Sequence, residues 1–146
     1  MIHFTRTIDI LSVLLITWSV LYFLVNFAVP DRWILDYPDL YASDVCRDEV
    51  QTLTGTRTAL FTMEASGVDQ IFSVDNPDEA KDRLQWEGRY QKGETTSSWK
   101  HTVTEKPGQY YWKVTTLKVK LPLFISKHIN NLESNVFNVI DCEIQN

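Results

Sequence analysis

The chain has 146 residues and a formal net charge of −5 at pH 7, and Trp, Tyr and Phe make up 12% of it. This acidic balance gives no indication of a nucleic-acid partner, because binding to phosphate backbones requires clustered Lys and Arg. The aromatic content indicates a packed globular domain rather than a disordered chain.

A run of twenty residues, 10–29, contains no charged side chain and is followed by Pro30. At about 1.5 Å per residue, a helix of this length reaches about 30 Å, the thickness of the hydrocarbon layer of a bilayer. A soluble helix would carry a polar stripe, which this run lacks. We therefore predict a tail at 1–9, a transmembrane helix at 10–29, a membrane-proximal linker at 30–45 and an exported domain at 46–146.

The charges beside the predicted span indicate its orientation. Arg6 precedes the span, whereas Asp and Glu dominate the residues after it. Because Lys and Arg stay on the cytoplasmic side, we expect a cytoplasmic N-terminus and a periplasmic or extracellular domain. A cleaved signal peptide is the alternative. An uncleaved signal anchor is favoured, because the run exceeds the usual h-region of roughly 7–15 residues and lacks a small-x-small cleavage site before Ala28 and Val29.

Aromatic residues follow the span, where the chain would leave the bilayer. Trp33 and Tyr37 are predicted to be membrane-interface anchors, because rings with a polar edge favour the headgroup region. Within the span, Ser12 and Asn26 are mildly polar. Their polar groups either bond to the helix backbone or form a helix–helix contact in the membrane. We favour the first interpretation, in which the span is a tether.

The chain contains two cysteines, Cys46 and Cys142, which bracket almost the whole predicted domain. In an exported protein such a pair predicts a disulfide. Two buried free thiols are the alternative, as are exposed thiols in a reducing compartment. No C-x-x-C motif is present, so a catalytic thiol is not predicted.

From Val50 onward, alternating apolar and polar residues predict a small antiparallel, β-sandwich-like domain. We expect strands at 56–65, 70–74 and 84–90, with a turn at Gly55 and a break at Gly67. One short helix is predicted at 77–84, because Asp75, Asn76 and Pro77 have the order of a helix N-terminus.

The clearest predicted unit is a hairpin that joins residues 98–104 to residues 110–121 through a turn at Pro107 and Gly108. The apolar phase of the second strand shifts by one residue near Thr115, which predicts a β-bulge. Residues 134–144 are predicted to form the last strand, with Val136, Ile140, Cys142 and Ile144 facing the core.

Lysines recur on the second strand of this unit. Lys113, Lys118 and Lys120 form a candidate face for binding an acidic partner or anionic lipid headgroups. The alternative is a solvated strand face whose lysines prevent edge-to-edge pairing.

No catalytic, metal-binding or cofactor-binding motif is recognisable in the sequence, and no cofactor is predicted. His101 is interpreted as a half-buried packing residue. The leading hypothesis is a non-enzymatic, membrane-anchored accessory or binding protein whose exported domain contacts another membrane or envelope protein. The alternatives are a structural subunit of an envelope assembly, which would form homo-oligomers or occupy a fixed place in a large complex, and a small hydrolase.

The N-terminus is similar to that of type IV pilin-like proteins, because Phe4 and Thr5 are followed by Asp9 and an apolar helix. It departs from their pattern, since His3 replaces the cleavage glycine, the acid is one position too far along, and Pro30 ends the helix early. An immunoglobulin-like core signature does not match the spacing of the cysteines either. The sequence is therefore assigned to no family.

Overall fold

The apolar N-terminal run is helical in a computed structural model that describes residues 2–129 and 132–142. Helix α1 covers Ile2–Phe23 and continues as a π-helical turn over Leu24–Ala28. The window Asp9–Ala28 has a mean hydropathy of 2.1, and none of it is buried. This helix is long and apolar enough to cross a bilayer, a property that it shares with signal sequences.

Residues from Asp31 onward form a second unit, which is built almost entirely of strands. Its elements are α2 (Asp31–Ile34), β1 (Leu35–Ala42), β2 (Val45–Cys46), β3 (Glu49–Ala59), β4 (Met63–Ser73), β5 (Ala80–Tyr90), β6 (Gly93–Val103), β7 (Gly108–Lys120), a 3₁₀ turn (Pro122–Phe124), β8 (Ser126–Ile129), β9 (Leu132–Glu133) and β10 (Phe137–Ile140). Strands make up 58% of the protein, which confirms the prediction of a mainly β fold with one N-terminal apolar helix.

The strands form two sheets. The first has the order β1-β3-β6, and the second has the order β2-β10-β7-β4-β5, with β8 and β9 also pairing with β7. The pairs are antiparallel, except that β10 and β2 run parallel. Inward-facing residues of both sheets share one core around Trp112 and Phe137, which are 1% and 0% exposed. This two-layer arrangement buries the apolar positions of each strand.

The β structure begins earlier than the predicted boundary at residue 46. Strand β1 lies within the predicted linker and pairs with β3, with Leu35 opposite Ala59 and Ala42 opposite Leu53. Leu35 and Ala42 are 2% and 1% exposed. Their burial draws this segment into the sheet, so residues 35–42 are part of the folded unit rather than a connection along the membrane.

The bulge predicted in β7 is present. Val68 pairs with Thr116 and Asp69 pairs with Val114, so Thr115 is the extra residue. Its hydroxyl donates a hydrogen bond of 3.2 Å to the Val68 carbonyl. The bulge moves Leu117 onto the buried face that Val114 occupies before it, which explains the phase shift in the sequence.

The predicted hairpin between β6 and β7 is wrong. β6 pairs with β3, whereas β7 pairs with β4 and β10, so the two strands lie in different sheets. The Pro107-Gly108 segment therefore crosses from one sheet to the other. Val103 and Tyr110, on either side of the crossing, both enter the shared core, at 0% and 7% exposed. Burial of Val103 and Tyr110 in the core from opposite sheets therefore replaces the pairing of β6 with β7 that their closeness in sequence suggested.

The predicted helix at 77–84 is also wrong, because β5 starts at Ala80. The residues that resembled a helix N-terminus close the turn between β4 and β5 instead. The Asn76 amide donates a hydrogen bond of 3.0 Å to the Glu79 carboxylate, and the Asn76 backbone N–H donates to the Ser73 carbonyl. The Ser73 hydroxyl also accepts a hydrogen bond of 3.2 Å from the Asp75 backbone N–H, and local side-chain bonds of this kind occur in turns as well as at helix caps.

The last described strand has the opposite phase to the predicted one. Phe137 and Val139 are buried in β10, whereas Val136 and Ile140 are 51% and 49% exposed. Cys142 is exposed rather than inward-facing, and Ile144 lies outside the described residues. The Cys46 and Cys142 sulfur atoms are at disulfide distance, 1.92 Å apart.

Replacing both cysteines with serine is expected to lower the free energy of unfolding by about 2–5 kcal/mol, because the bond would close a loop of roughly a hundred residues in the unfolded chain. Urea unfolding of the oxidised protein and of the Cys46→Ser, Cys142→Ser variant measures the difference. Two alkylatable thiols in the protein purified from its native membrane would contradict the expectation.

Candidate binding groove

Strands β5 and β6 are consecutive in the chain but form the edges of different sheets. They face each other, and a groove of about 230 Å³ opens between them. The groove is lined by Arg57, Trp86, Gly88, Arg89, Tyr90, Ser97, Ser98 and Trp99. This edge of the sandwich combines indole rings with cationic and hydroxyl groups.

Each tryptophan of the groove packs against a glycine in the neighbouring strand. A Cβ atom on Gly67 would lie 2.5 Å from Trp86 Cζ2, and one on Gly55 would lie 3.2 Å from Trp99 Cη2. Gly67 lies inside β4 and Gly55 lies inside β3, so the predicted break at Gly67 and the predicted turn at Gly55 are wrong. A glycine in a strand interior permits such close approach of a ring to the backbone.

Asp69 lies behind the Trp86 ring. Its carboxylate accepts a hydrogen bond of 2.9 Å from Trp86 Nε1, and the residue is only 6% exposed. Burial raises the pKa of Asp69 from 3.8 to about 6, although the Trp86 hydrogen bond opposes this effect. The groove is therefore backed by a carboxyl group that titrates in mildly acidic solution.

Arg57 forms part of the groove floor and is 8% exposed. Its guanidinium carbon lies 4.0 Å from the centre of the Tyr90 ring, and it donates a hydrogen bond to the Ser97 hydroxyl. The Tyr90 hydroxyl is 2.7 Å from that of Tyr37, and burial raises the pKa of both phenols. Among the described residues, Arg57 Nε has no hydrogen-bond partner.

A second contact closes the same edge of the sandwich. His101 Nε2 on β6 lies 2.7 Å from Asp82 Oδ2 on β5, and its ring meets Trp112 edge-on at 5.1 Å between centroids. Neither His101 nor Asp82 lines the groove. The pair bridges the two sheets and gives His101 the half-buried packing position expected of it.

The three lysines of the candidate partner-binding face lie on the outer side of β7, opposite the core. The bulge keeps Lys113 in phase with Lys118 and Lys120. Lys113 pairs with Glu133 at 2.7 Å and Lys120 with Glu64 at 2.9 Å. Hydrogen bonds to these glutamates raise the pKa of both lysines. The surface is therefore of mixed charge, and its role in binding a partner stays a prediction.

The two candidate interface anchors have different surroundings. Trp33 is 64% exposed in α2, as an anchor requires. Tyr37 is half-buried in β1 and packs edge-on against Tyr90, with the ring centroids 6.3 Å apart. The Tyr37 ring is thus directed towards the sandwich interior, below the groove.

The groove was not predicted from the sequence. Its residues come from three strands, β3, β5 and β6, and no local motif joins Arg57 to Trp86 or Trp99. The sequence does contain a signal for it: Gly55 and Gly67 lie inside β3 and β4, and the next two strands, β5 and β6, each carry a tryptophan. Within residues 2–129 and 132–142, no three His, Cys, Asp or Glu side chains are grouped so that they could hold a metal ion.

Comparison with known proteins identifies no family. No family model matches the sequence, and no curated protein matches it. The C-terminal domain of wzt is similar in structure, with a TM-score of 0.53, 10% identity and 74% of each chain covered. At this identity the likeness shows the fold alone.

Two structures of a β-glucosidase from Listeria innocua also match. The one in complex with glucose has a TM-score of 0.35, 14% identity and coverage of 74% of this chain and 16% of that chain. The other has a TM-score of 0.31, 16% identity and coverage of 73% and 16%. Nothing about function follows from these matches.

The buried Asp69 carboxyl predicts a pH-dependent stability. The folded protein retains the Asp69 proton up to pH of about 6, whereas the unfolded chain loses it near pH 4, so this group lowers the stability as pH rises between these values. A shift of about two pKa units corresponds to about 3 kcal/mol. We therefore expect Asp69→Asn to stabilise the fold at pH 7.5, and this gain to disappear near pH 4. A difference in unfolding free energy between the two proteins that stays constant from pH 4 to pH 7.5 would contradict the expectation.

The contact between Gly67 and Trp86 predicts a position-specific effect of adding a methyl group. Gly67→Ala is expected to destabilise the fold by about 1–3 kcal/mol, because the Trp86 ring must move. Gly88→Ala is the matched control, since a Cβ at Gly88 meets nothing within 4 Å. Thermal and urea unfolding measure the stability of both variants. Equal stabilities of Gly67→Ala and Gly88→Ala would show that the Trp86 ring does not rest on Gly67.

Proposed function

We propose that this chain is a single-pass, membrane-anchored binding protein whose exported domain contacts another membrane or envelope protein through the β5–β6 groove. The observation that supports this proposal is the grouping of Trp86, Trp99, Tyr90 and Arg57 on opposed strands. Trp, Tyr and Arg are the residues enriched at energetic hot spots of protein interfaces, particularly in pockets that exclude water.

The anchoring part of the proposal rests on the apolar helix. Its length suits a bilayer, and the charges around it favour a cytoplasmic N-terminus. The disulfide-distance pair Cys46 and Cys142 fits an exported domain, since disulfides persist in oxidising compartments. Confined to the bilayer, the domain would meet partners in the same membrane or the adjoining envelope.

The chemistry of the groove indicates what the partner would present. The Arg57 guanidinium lies over the Tyr90 ring at the groove floor, and Arg89 is a second cationic residue that lines the groove. A partner segment with a carboxylate or carbonyl oxygen beside an apolar or aromatic side chain complements this set, because guanidinium groups form strong charge-assisted hydrogen bonds.

The test is affinity capture of the full chain from gently solubilised native membranes, with the wild type compared with Arg89→Glu. We expect the charge reversal to weaken retention of the partner about tenfold, which corresponds to about 1.4 kcal/mol. Lys100→Glu is the matched control, because it reverses one exposed charge on β6 outside the groove. Equal losses in both variants, or no stoichiometric partner for the wild type, would contradict the proposal.

A structural subunit of an envelope assembly is the second candidate function. It is favoured by the length of the two sheet edges, since β5 and β6 have eleven residues each and each pairs on one side only among the described strands. Long edges of this kind can accept another strand. In the same capture, recovery of only further copies of this chain in a large complex would favour this function over the first.

A further inference from the structure

We infer that one end of the exported sandwich, defined by Trp33, Leu60, Phe61, Leu123 and Phe124, rests in the interfacial layer of the bilayer. This inference rests on the proposed anchoring of the chain and goes beyond it. It assigns these five side chains, which we call the apolar end, a lipid-contacting role. The apolar helix then provides the anchor, and the apolar end provides a second contact with the lipid.

The five residues come from three connections at the same end of the sandwich. The Leu60 backbone N–H donates to the Ile34 carbonyl at 3.0 Å, which joins α2 to the β3–β4 turn. Asp31 in α2 pairs with Lys127 of β8 at 3.1 Å, which places the connection between β7 and β8 beside α2. Strand pairing between Glu64 and Lys120 brings the remaining two connections together.

These side chains are unusually exposed for apolar residues. Phe124 is 98% exposed, Trp33 64%, Leu123 62%, Leu60 49% and Phe61 41%. Single exposed apolar residues are ordinary, but a group of large ones at one end of a domain indicates an interaction surface. Aromatic and leucine side chains are those that enter the boundary between headgroups and acyl chains.

The backbone of the β7–β8 connection holds two of these side chains in place. Leu123 and Phe124 both have a φ of 60°, a conformation that bulky residues rarely adopt. Pro122 precedes them, and the Leu121 backbone N–H donates to the Ile125 carbonyl at 2.8 Å to close the loop. The loop thereby projects a phenyl ring and an isobutyl group into solvent, and moving these apolar groups out of water into the bilayer interface is favourable.

Covalent connectivity identifies the bilayer as the occupant. The apolar window ends at Ala28 and α2 begins at Asp31, so the chain between them reaches about 11 Å at most. The end of the domain that carries α2 therefore cannot move far from the membrane surface. Arg32 and Lys92 are exposed at this end, where anionic headgroups attract cations.

The opposite end of the sandwich is predominantly acidic. Its connections are rich in acidic side chains, namely Asp44, Asp48, Asp75, Asp78, Glu79 and Glu105. Anionic headgroups repel such a surface within a Debye length. The charge distribution along the domain therefore favours the same orientation as the apolar residues do.

The test uses the full chain in vesicles of phosphatidylcholine with a minority of phosphatidylglycerol. A spin label is attached at Phe124→Cys, and at Asp78→Cys at the acidic end as the matched control. Among the described residues both native cysteines are paired, so the added thiol is the labelling site. Frequent collisions of the spin label with oxygen indicate that the labelled position lies in hydrocarbon. Frequent collisions with a water-soluble nickel chelate indicate that it lies in water.

We expect the ratio of oxygen to nickel collisions to be roughly tenfold higher at position 124 than at 78, because apolar oxygen concentrates in the bilayer and the polar chelate is excluded from it. A second label at Leu60→Cys should lose much of its oxygen preference when Phe124→Asp is added. Since the Phe124 side chain is almost fully exposed, neither Phe124→Cys nor Phe124→Asp removes a folding contact.

Two failures are distinguishable by alkaline extraction of the vesicles. If the chain stays in the lipid pellet while positions 124 and 78 are equally accessible to nickel, the lipid-contacting role is overturned and the anchor is retained. If the chain is released from the pellet, the proposed anchoring fails and the inference fails with it.

Discussion

One buried indole links the two sheets of the β domain. Trp112 on β7 is 1% exposed, and its Nε1 donates a hydrogen bond of 2.8 Å to Gln51 Oε1 on β3. The Gln51 amide in turn donates to the Ser43 carbonyl, and His101 on β6 meets the indole edge-on. Because an unpaired buried donor costs about 1–3 kcal/mol, this pair favours the alignment of the sheets in which the bond forms. Apolar contacts alone would tolerate a shift along the strands.

The groove depends on this alignment. With the sheets held by Trp112, the edges β5 and β6 face each other across a fixed gap, and the His101–Asp82 contact closes it at one point. The two groove tryptophans then rest on the backbones of Gly67 and Gly55 rather than on side chains. Rings supported in this way lose little further freedom when a partner binds, which lowers the entropic cost of association.

Features that depend on a single stretch of the sequence could be predicted from it. The apolar span, the mainly β fold and the bulge at Thr115 follow from length and periodicity within a single segment. The assignment of strands to sheets does not, because Pro107-Gly108 serves a crossing between sheets as readily as a hairpin turn. The turn at Asn76 was mistaken for a helix start, since the same side-chain contacts serve both structures. The groove was beyond reach because its residues meet only after three strands are placed in two layers.

The groove and the apolar end together constrain how a partner could approach. The β5–β6 connection lies at the apolar end, because the Lys92 backbone N–H donates to the Thr62 hydroxyl in the β3–β4 turn at 3.2 Å. The groove therefore starts near that end and runs along the strands towards the acidic one. A domain that rests on its apolar end would open this groove sideways, above the membrane surface. A partner held in the same bilayer would meet it already oriented, so that less rotational freedom is lost on binding than for a partner from solution.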